Sequence, residues 1–193
     1  MRKLSLLFIL CLTLSACTSV GVVKKDVSLD NSKESIFVAG LRPDNYRVSF
    51  FRGSVKDGVF RPNMIMPALF YGAATDGYIV GKAPAGLTLA ITYLTIVKNE
   101  TSLLGARYLP CEKEHKTLTF KVPAGKVIYL GEIQYQYQNG GIGLNLSKKF
   151  NAAKSYIDTN YPNLEGRIET WESKLLPTNQ SCIEYIYLPV SNI

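Results

Sequence analysis

Residues that commonly carry catalysis or bind metals are scarce in this sequence. The chain of 193 residues has one histidine and four cysteines. His115 lies in one short stretch with Cys111 and two glutamates, a spacing that fits no standard zinc pattern. Gly-x-Ser-x-Gly, His-Glu-x-x-His and a phosphate-binding glycine loop are also missing. The sequence therefore predicts no catalytic residue, metal or cofactor; the open alternative is a hydrolase whose carboxylates carry no recognisable motif.

Blocks of like charge are missing as well. The formal net charge is +7, but the basic residues occur singly or in pairs such as Lys24-Lys25 and Lys148-Lys149. Proteins that bind nucleic acids concentrate Lys and Arg on one face or stripe. We therefore expect no nucleic-acid partner.

The first seventeen residues have the order of an export signal. Arg2 and Lys3 precede the apolar run Leu4 to Leu14, which is too short to span a bilayer as a permanent helix. Leu14-Ser15-Ala16-Cys17 then resembles the lipobox of bacterial lipoproteins. The resemblance implies that residues 1–16 are a signal peptide and that Cys17 carries acyl chains, including palmitate. An ordinary secretory signal is the alternative.

The same resemblance bears on location. Thr18, and not Asp, follows the lipidated cysteine, which implies delivery to the outer membrane, lipid-anchored and facing the periplasm. Residues 17–34, polar and without apolar periodicity, are predicted to be the lipidated cysteine and a tether to a domain at 35–193.

Two cysteines remain for that domain. Cys11 leaves with the signal and Cys17 takes the lipid, so Cys111 and Cys182 are left in an oxidising compartment. We predict that they form a disulfide, with two buried free thiols as the alternative.

Strand-like segments follow from Ser35, separated by turn signals such as Lys56-Asp57-Gly58. The segment Phe120 to Ile133, FKVPAGKVIYLGEI, places a Pro-x-Gly turn before a strand with Tyr-Leu. It resembles an uncharacterised bacterial lipoprotein family with a transthyretin-like or carboxypeptidase-regulatory-like domain. The resemblance implies a mainly β fold, an immunoglobulin/transthyretin-like β-sandwich.

Two helices are predicted after these strands, near 148–161 and 162–176. The apolar residues that support them are Phe150, Ala153 and Ile157 in the first, and Leu164, Ile168, Trp171 and Leu175 in the second. We therefore expect a two-helix C-terminal addition packed on the sandwich.

The strand from Lys126 to Gln138 is predicted to keep Val127, Tyr129, Ile133, Tyr135 and Tyr137 on one face throughout. Its polar end suggests an exposed edge, so Tyr135, Tyr137 and Asn139 are a hypothetical binding site for an envelope protein or a glycan. The alternative is that the helices cover these tyrosines. The sequence as a whole predicts a non-enzymatic, membrane-anchored envelope lipoprotein with a structural or partner-binding role; a hydrolase or a glycan-binding module remains the alternative.

Overall fold

The computed structural model describes residues 20–29, 32–97, 105–110, 115–138 and 141–180. Within these ranges the chain forms twelve strands and one α-helix. The strands are β1 (Glu34–Arg42), β2 (Tyr46–Lys56), β3 (Val59–Pro62), β4 (Phe70–Ala73), β5 (Tyr78–Pro84), β6 (Thr88–Val97), β7 (Gly105–Tyr108), β8 (Lys116–Lys121), β9 (Val127–Gln138), β10 (Gly141–Ser147), β11 (Ile168–Thr170) and β12 (Ser173–Pro177). Helix α1 spans Phe150–Asn160, and a 3-10 helix follows at Pro162–Leu164.

The described strands form two sheets. In the first sheet the order is β10-β9-β1-β5, with β11 also paired to β9. In the second it is β12-β8-β6-β2-β3, with β4 paired to β2 and β7 to β6. The prediction of a mainly β fold is confirmed, and the arrangement is compatible with a β-sandwich.

One hydrophobic core is shared by the two sheets. Alternate residues of most strands point into it, as expected for sheets with one face buried. Four phenylalanines at its centre have ring centroids 5.2 to 5.9 Å apart: Phe37, Phe50, Phe70 and Phe120. Phe37 comes from the first sheet and the other three from the second, so the aromatic cluster joins the layers.

Strand β9 changes faces part-way along its length. Its pairing with β1 shifts between Val38 and Gly40, which pair with Tyr129 and Glu132, so β9 carries one extra residue there. Gly131 in this bulge has a φ of 124°, a conformation that favours glycine. The single apolar face predicted for β9 is therefore wrong. The residues that face the shared core are Ile128 and Leu130 before the bulge, and Ile133 and Tyr135 after it.

A second core lies on the opposite side of the first sheet, beneath helix α1. Ala153 and Ile157 of the helix are fully buried against Val127 and Tyr129 of β9. Burying one such isoleucine stabilises the fold by about 1.5–3 kcal/mol. The first predicted helix is therefore present, and its apolar stripe holds it on the outer face of the first sheet.

The second predicted helix, 162–176, is wrong. Only Pro162–Leu164 is helical, and the segment continues with the two short strands β11 and β12. Gly166 adopts a φ of 69° and interrupts the helical path. The apolar residues also serve two different cores, because Ile168 packs beneath α1 whereas Trp171 packs against the core between the sheets. A helix-like spacing thus arose from a chain that crosses between layers.

The predicted tether at 17–34 is also wrong where the structure describes it. Backbone hydrogen bonds join Val20 to Tyr71 of β4, and Val22 pairs with Gly81 of β5. Both strands lie at sheet edges, so this segment covers edges that would otherwise expose unpaired backbone groups. Leu29 is then buried beneath α1.

Candidate functional site

A cavity of about 210 Å³ opens at one end of the two sheets. It forms where the second half of β9 and strand β10 of the first sheet face β6, β7, β8 and β12 of the second. Its described walls consist of Leu94, Tyr108, Pro110, His115, Lys116, Thr117, Tyr135, Ile142, Gly143, Leu144 and Leu175. The bulge at Gly131 is what turns Tyr135 towards this space.

The hydroxyl of Tyr135 is the distinctive polar group of this cavity. The side chain is only 7% exposed, and its hydroxyl has no hydrogen-bond partner among the described residues. Burial raises the pKa of Tyr135 well above its usual value, and proximity to Tyr108 adds to the effect. The group is thus a neutral phenol at physiological pH, with both its donor and acceptor capacity unused.

The two hydroxyl groups that line the cavity with Tyr135 already have partners. The hydroxyl of Tyr108 donates to the carbonyl of Ile142 at 3.3 Å, and burial raises its pKa. Thr117 Oγ1 donates to the carbonyl of Ile91 at 2.6 Å. The ring of His115 lies edge-on to that of Tyr108, with centroids 6.2 Å apart. The cavity therefore suits a small apolar group that carries one hydrogen-bonding atom.

A second feature, missed by the sequence, is a hydrogen-bonded network on the outer face of the first sheet. Tyr129 donates to Glu132 Oε1 at 2.8 Å and accepts a hydrogen bond from the backbone N–H of Lys149 at 3.0 Å. Helix α1 has no capping side chain of its own, so the tyrosine satisfies a group at its start. Burial and Glu132 both raise the pKa of Tyr129.

Two further tyrosines join this network. Tyr78 stacks on Tyr156 with centroids 4.5 Å apart, and burial followed by the charge of Glu132 raises the pKa of Tyr78. The network locks α1 onto the sheet. The hydrogen bond between Tyr129 and Glu132 spans the bulge at Gly131, and sequence periodicity does not reveal that bulge.

An open groove of about 700 Å³ lies on the outer face of the second sheet. Phe51 and Tyr93 pack edge to face along it at 5.6 Å. The loop between β3 and β4 borders it, and Met64, Ile65 and Met66 in this loop are exposed by 41%, 96% and 39%. The succession Met-Ile-Met-Pro was the available signal in the sequence for an exposed apolar loop.

The structure places the predicted site residues unequally. Tyr135 lies in the core between the sheets, so it does not form the exposed edge that was predicted. The alternative was that helices cover it, but the facing sheet does so instead. The backbone of Tyr137 pairs with Ile142, but its side chain lies outside the described residues. Cys17, Cys111, Asn139 and Cys182 lie outside them as well.

Within the described residues, no group of three or more His, Cys, Asp or Glu side chains is placed to hold a metal ion. The helices in the same part of the chain are too short or too polar to cross a membrane. Comparison with protein-family models, curated proteins and solved structures found no match to this chain. Its role must therefore be inferred from its own residues.

Proposed function

We propose that this chain is a lipid-anchored lipoprotein of the bacterial envelope with a non-enzymatic, structural or partner-binding role. It is held in the outer membrane through acyl chains on Cys17 and faces the periplasm. Its domain is an immunoglobulin/transthyretin-like sandwich. The order of charged, apolar and small residues before Cys17 supports the anchor, and the two sheets around one core support the sandwich.

The observation that carries the proposal is the short distance along the chain between Cys17 and Val20, which is docked on the domain. Val20 already pairs with Tyr71 through two backbone hydrogen bonds of 2.8 Å. Only Thr18 and Ser19 separate it from Cys17, so the fully extended reach between the two residues is roughly 10 Å. A lipid on Cys17 would therefore keep this edge of the domain close to the membrane surface. A structural or partner-binding protein that works at the membrane needs such a placement.

The partner-binding part of this role is assigned to the cavity beside β9 and β10. Its largely apolar walls and the hydroxyl of Tyr135, which has no partner among the described residues, suit an apolar group with one hydrogen-bonding atom, presented by an envelope partner or a small ligand.

Lipidation is tested by expressing the full chain in a bacterium and determining the mass of its N-terminal peptide. We expect the wild type to begin at Cys17 with acyl chains attached and to fractionate with the outer membrane. The Cys17→Ala variant should keep residues 1–16 and lose the acyl mass. Cys11→Ala is the matched control and should be processed like the wild type. An unmodified thiol on Cys17 in the wild type would refute the anchor.

The Cys111–Cys182 disulfide remains part of the proposal, and the neighbouring residues support it. Thr178 Oγ1 donates to the carbonyl of Pro110 at 2.9 Å, so the residue before Cys111 contacts a residue four positions before Cys182. Closing a loop of about 70 residues should stabilise the fold by about 4 kcal/mol. Cys111→Ala, Cys182→Ala and the double variant should therefore lose similar amounts in denaturant unfolding. Complete alkylation of both thiols in protein isolated without reductant would contradict the bond.

A further inference from the structure

The loop between β3 and β4 exposes an apolar surface that folding leaves unburied. Ile65 is 96% exposed, and Met64 and Met66 on either side of it are each exposed by more than a third. Single exposed apolar residues are common, but three in succession at a loop tip indicate an interaction surface. Pro67 follows directly and stiffens the end of the loop.

This loop lies near Val20, the described residue that is closest to Cys17 in the sequence. Tyr71, the backbone partner of Val20, borders the same groove as Met64, Ile65 and Met66. Since Cys17 precedes Val20 by three residues, its acyl chains would enter a bilayer within roughly 10 Å of this edge of β4. The membrane surface would then lie next to the loop.

The charges around the loop also favour contact with a membrane surface. Arg52 and Arg61 border the other side of Met64 and Ile65, in a second shallow depression. The sequence from Gly58 to Thr75 contains no Asp or Glu. Basic residues beside an apolar tip are attracted to anionic headgroups, whereas carboxylates would be repelled.

We propose that the loop at 63–67 is a second membrane contact, inserting Met64, Ile65 and Met66 into the leaflet that holds the lipid on Cys17. The inference rests on the proposed lipidation. Acyl chains on one residue leave the domain free to rotate about it, while two contacts fix one orientation. The loop would then hold β4 towards the membrane and leave helix α1, on the outer face of the opposite sheet, away from it.

The test uses tryptophan fluorescence of the lipidated protein in vesicles of phosphatidylethanolamine and phosphatidylglycerol, with or without bromine on the acyl chains. Ile65→Trp places the probe at the loop tip. Ser155→Trp, on the exposed side of α1, is the matched control. Wild-type protein supplies the constant signal of Trp171. Interfacial side chains sit about 5–10 Å into the boundary between headgroups and acyl chains, where bromine quenches.

We expect brominated lipid to quench Ile65→Trp several-fold more than Ser155→Trp. Equal quenching in protein whose mass shows the lipid on Cys17 would overturn the loop contact and leave the proposed function standing. Blue-shifted but unquenched emission from Ile65→Trp would also overturn it, because residues 181–193, which follow Gln180 beside Met64, or a second copy would then cover the loop. Absence of lipid on Cys17 would overturn both.

Discussion

Tyr129 and Tyr135 lie on one strand, β9, on either side of the bulge at Gly131. Tyr129 faces helix α1, where its hydroxyl donates to Glu132 and accepts from Lys149. Tyr135 faces the core between the sheets, where its hydroxyl has no partner among the described residues. Both pKa values are raised mainly by burial. The difference shows that burial of a tyrosine does not by itself indicate stabilisation; what matters is whether the hydroxyl is satisfied.

Among changes to β9, the largest effect should come from straining the bulge that separates the two tyrosines. In Gly131→Ala a Cβ would lie 2.8 Å from Leu146 Cδ1 and 2.9 Å from the carbonyl oxygen of Ser147. The backbone conformation alone costs an alanine about 1–3 kcal/mol. With the close contacts we expect a loss of about 3 kcal/mol in the free energy of unfolding, measured in urea.

Gly86→Ala is the control for this change. Gly86 also has a positive φ, 84°, but its Cβ would meet nothing within 4 Å. It should therefore lose only the conformational part, about 1 kcal/mol. Equal losses in the two variants would show that the close contacts of a Cβ at Gly131 add no cost to that of the backbone conformation.

A smaller loss is expected for Tyr129→Phe. The variant removes a hydrogen bond to the carboxylate of Glu132 and leaves the N–H of Lys149 without its partner. We expect a destabilisation of about 2 kcal/mol, in the range of hydrogen bonds to charged groups. Denaturant unfolding checks this, and exchange of the first amides of α1 should accelerate. Unchanged amide exchange would show that Tyr129 does not stabilise the start of the helix.

The smallest effect at neutral pH belongs to Tyr135→Phe. Because the hydroxyl has no partner in the part of the chain that the structure describes, its removal should leave the free energy of unfolding unchanged or raise it by up to about 1 kcal/mol. Above pH 10, the usual pKa, the unfolded tyrosine ionises while the buried one stays protonated. Wild-type stability should therefore fall as pH rises beyond 10, and the variant should lose less. A loss of stability at pH 7 would mean that the hydroxyl has a partner.

The sequence predicted the class of fold better than its details. Alternation of apolar residues and turn signals such as Lys56-Asp57-Gly58 identified a β-rich domain, because each strand buries one face. The first helix was predicted because Ala153 and Ile157 share one stripe. The second helix was predicted wrongly because Ile168 and Trp171 pack in different cores and yet have helical spacing in the sequence.

Most of the candidate site could not be predicted from the periodicity of apolar residues. One inserted residue at Gly131 moves Ile133 and Tyr135 to the opposite face, and no pattern in β9 itself reports the pairing with β1 that creates the shift. The docking of residues 20–29 was missed for a similar reason. Val20 and Val22 pair through backbone atoms and remain about half exposed, so they carry no signature of burial.

The same docked segment has a mechanical consequence. A force applied at Val20 passes first into its hydrogen bonds with Tyr71 of β4, and then into those that Gly21 and Val23 make with Lys82 and Val80 of β5. These bonds lie at the edges of both sheets. A pull at Val20 must break this short series of backbone bonds before it reaches the core, so residues 20–23 protect the core from mechanical load at this point.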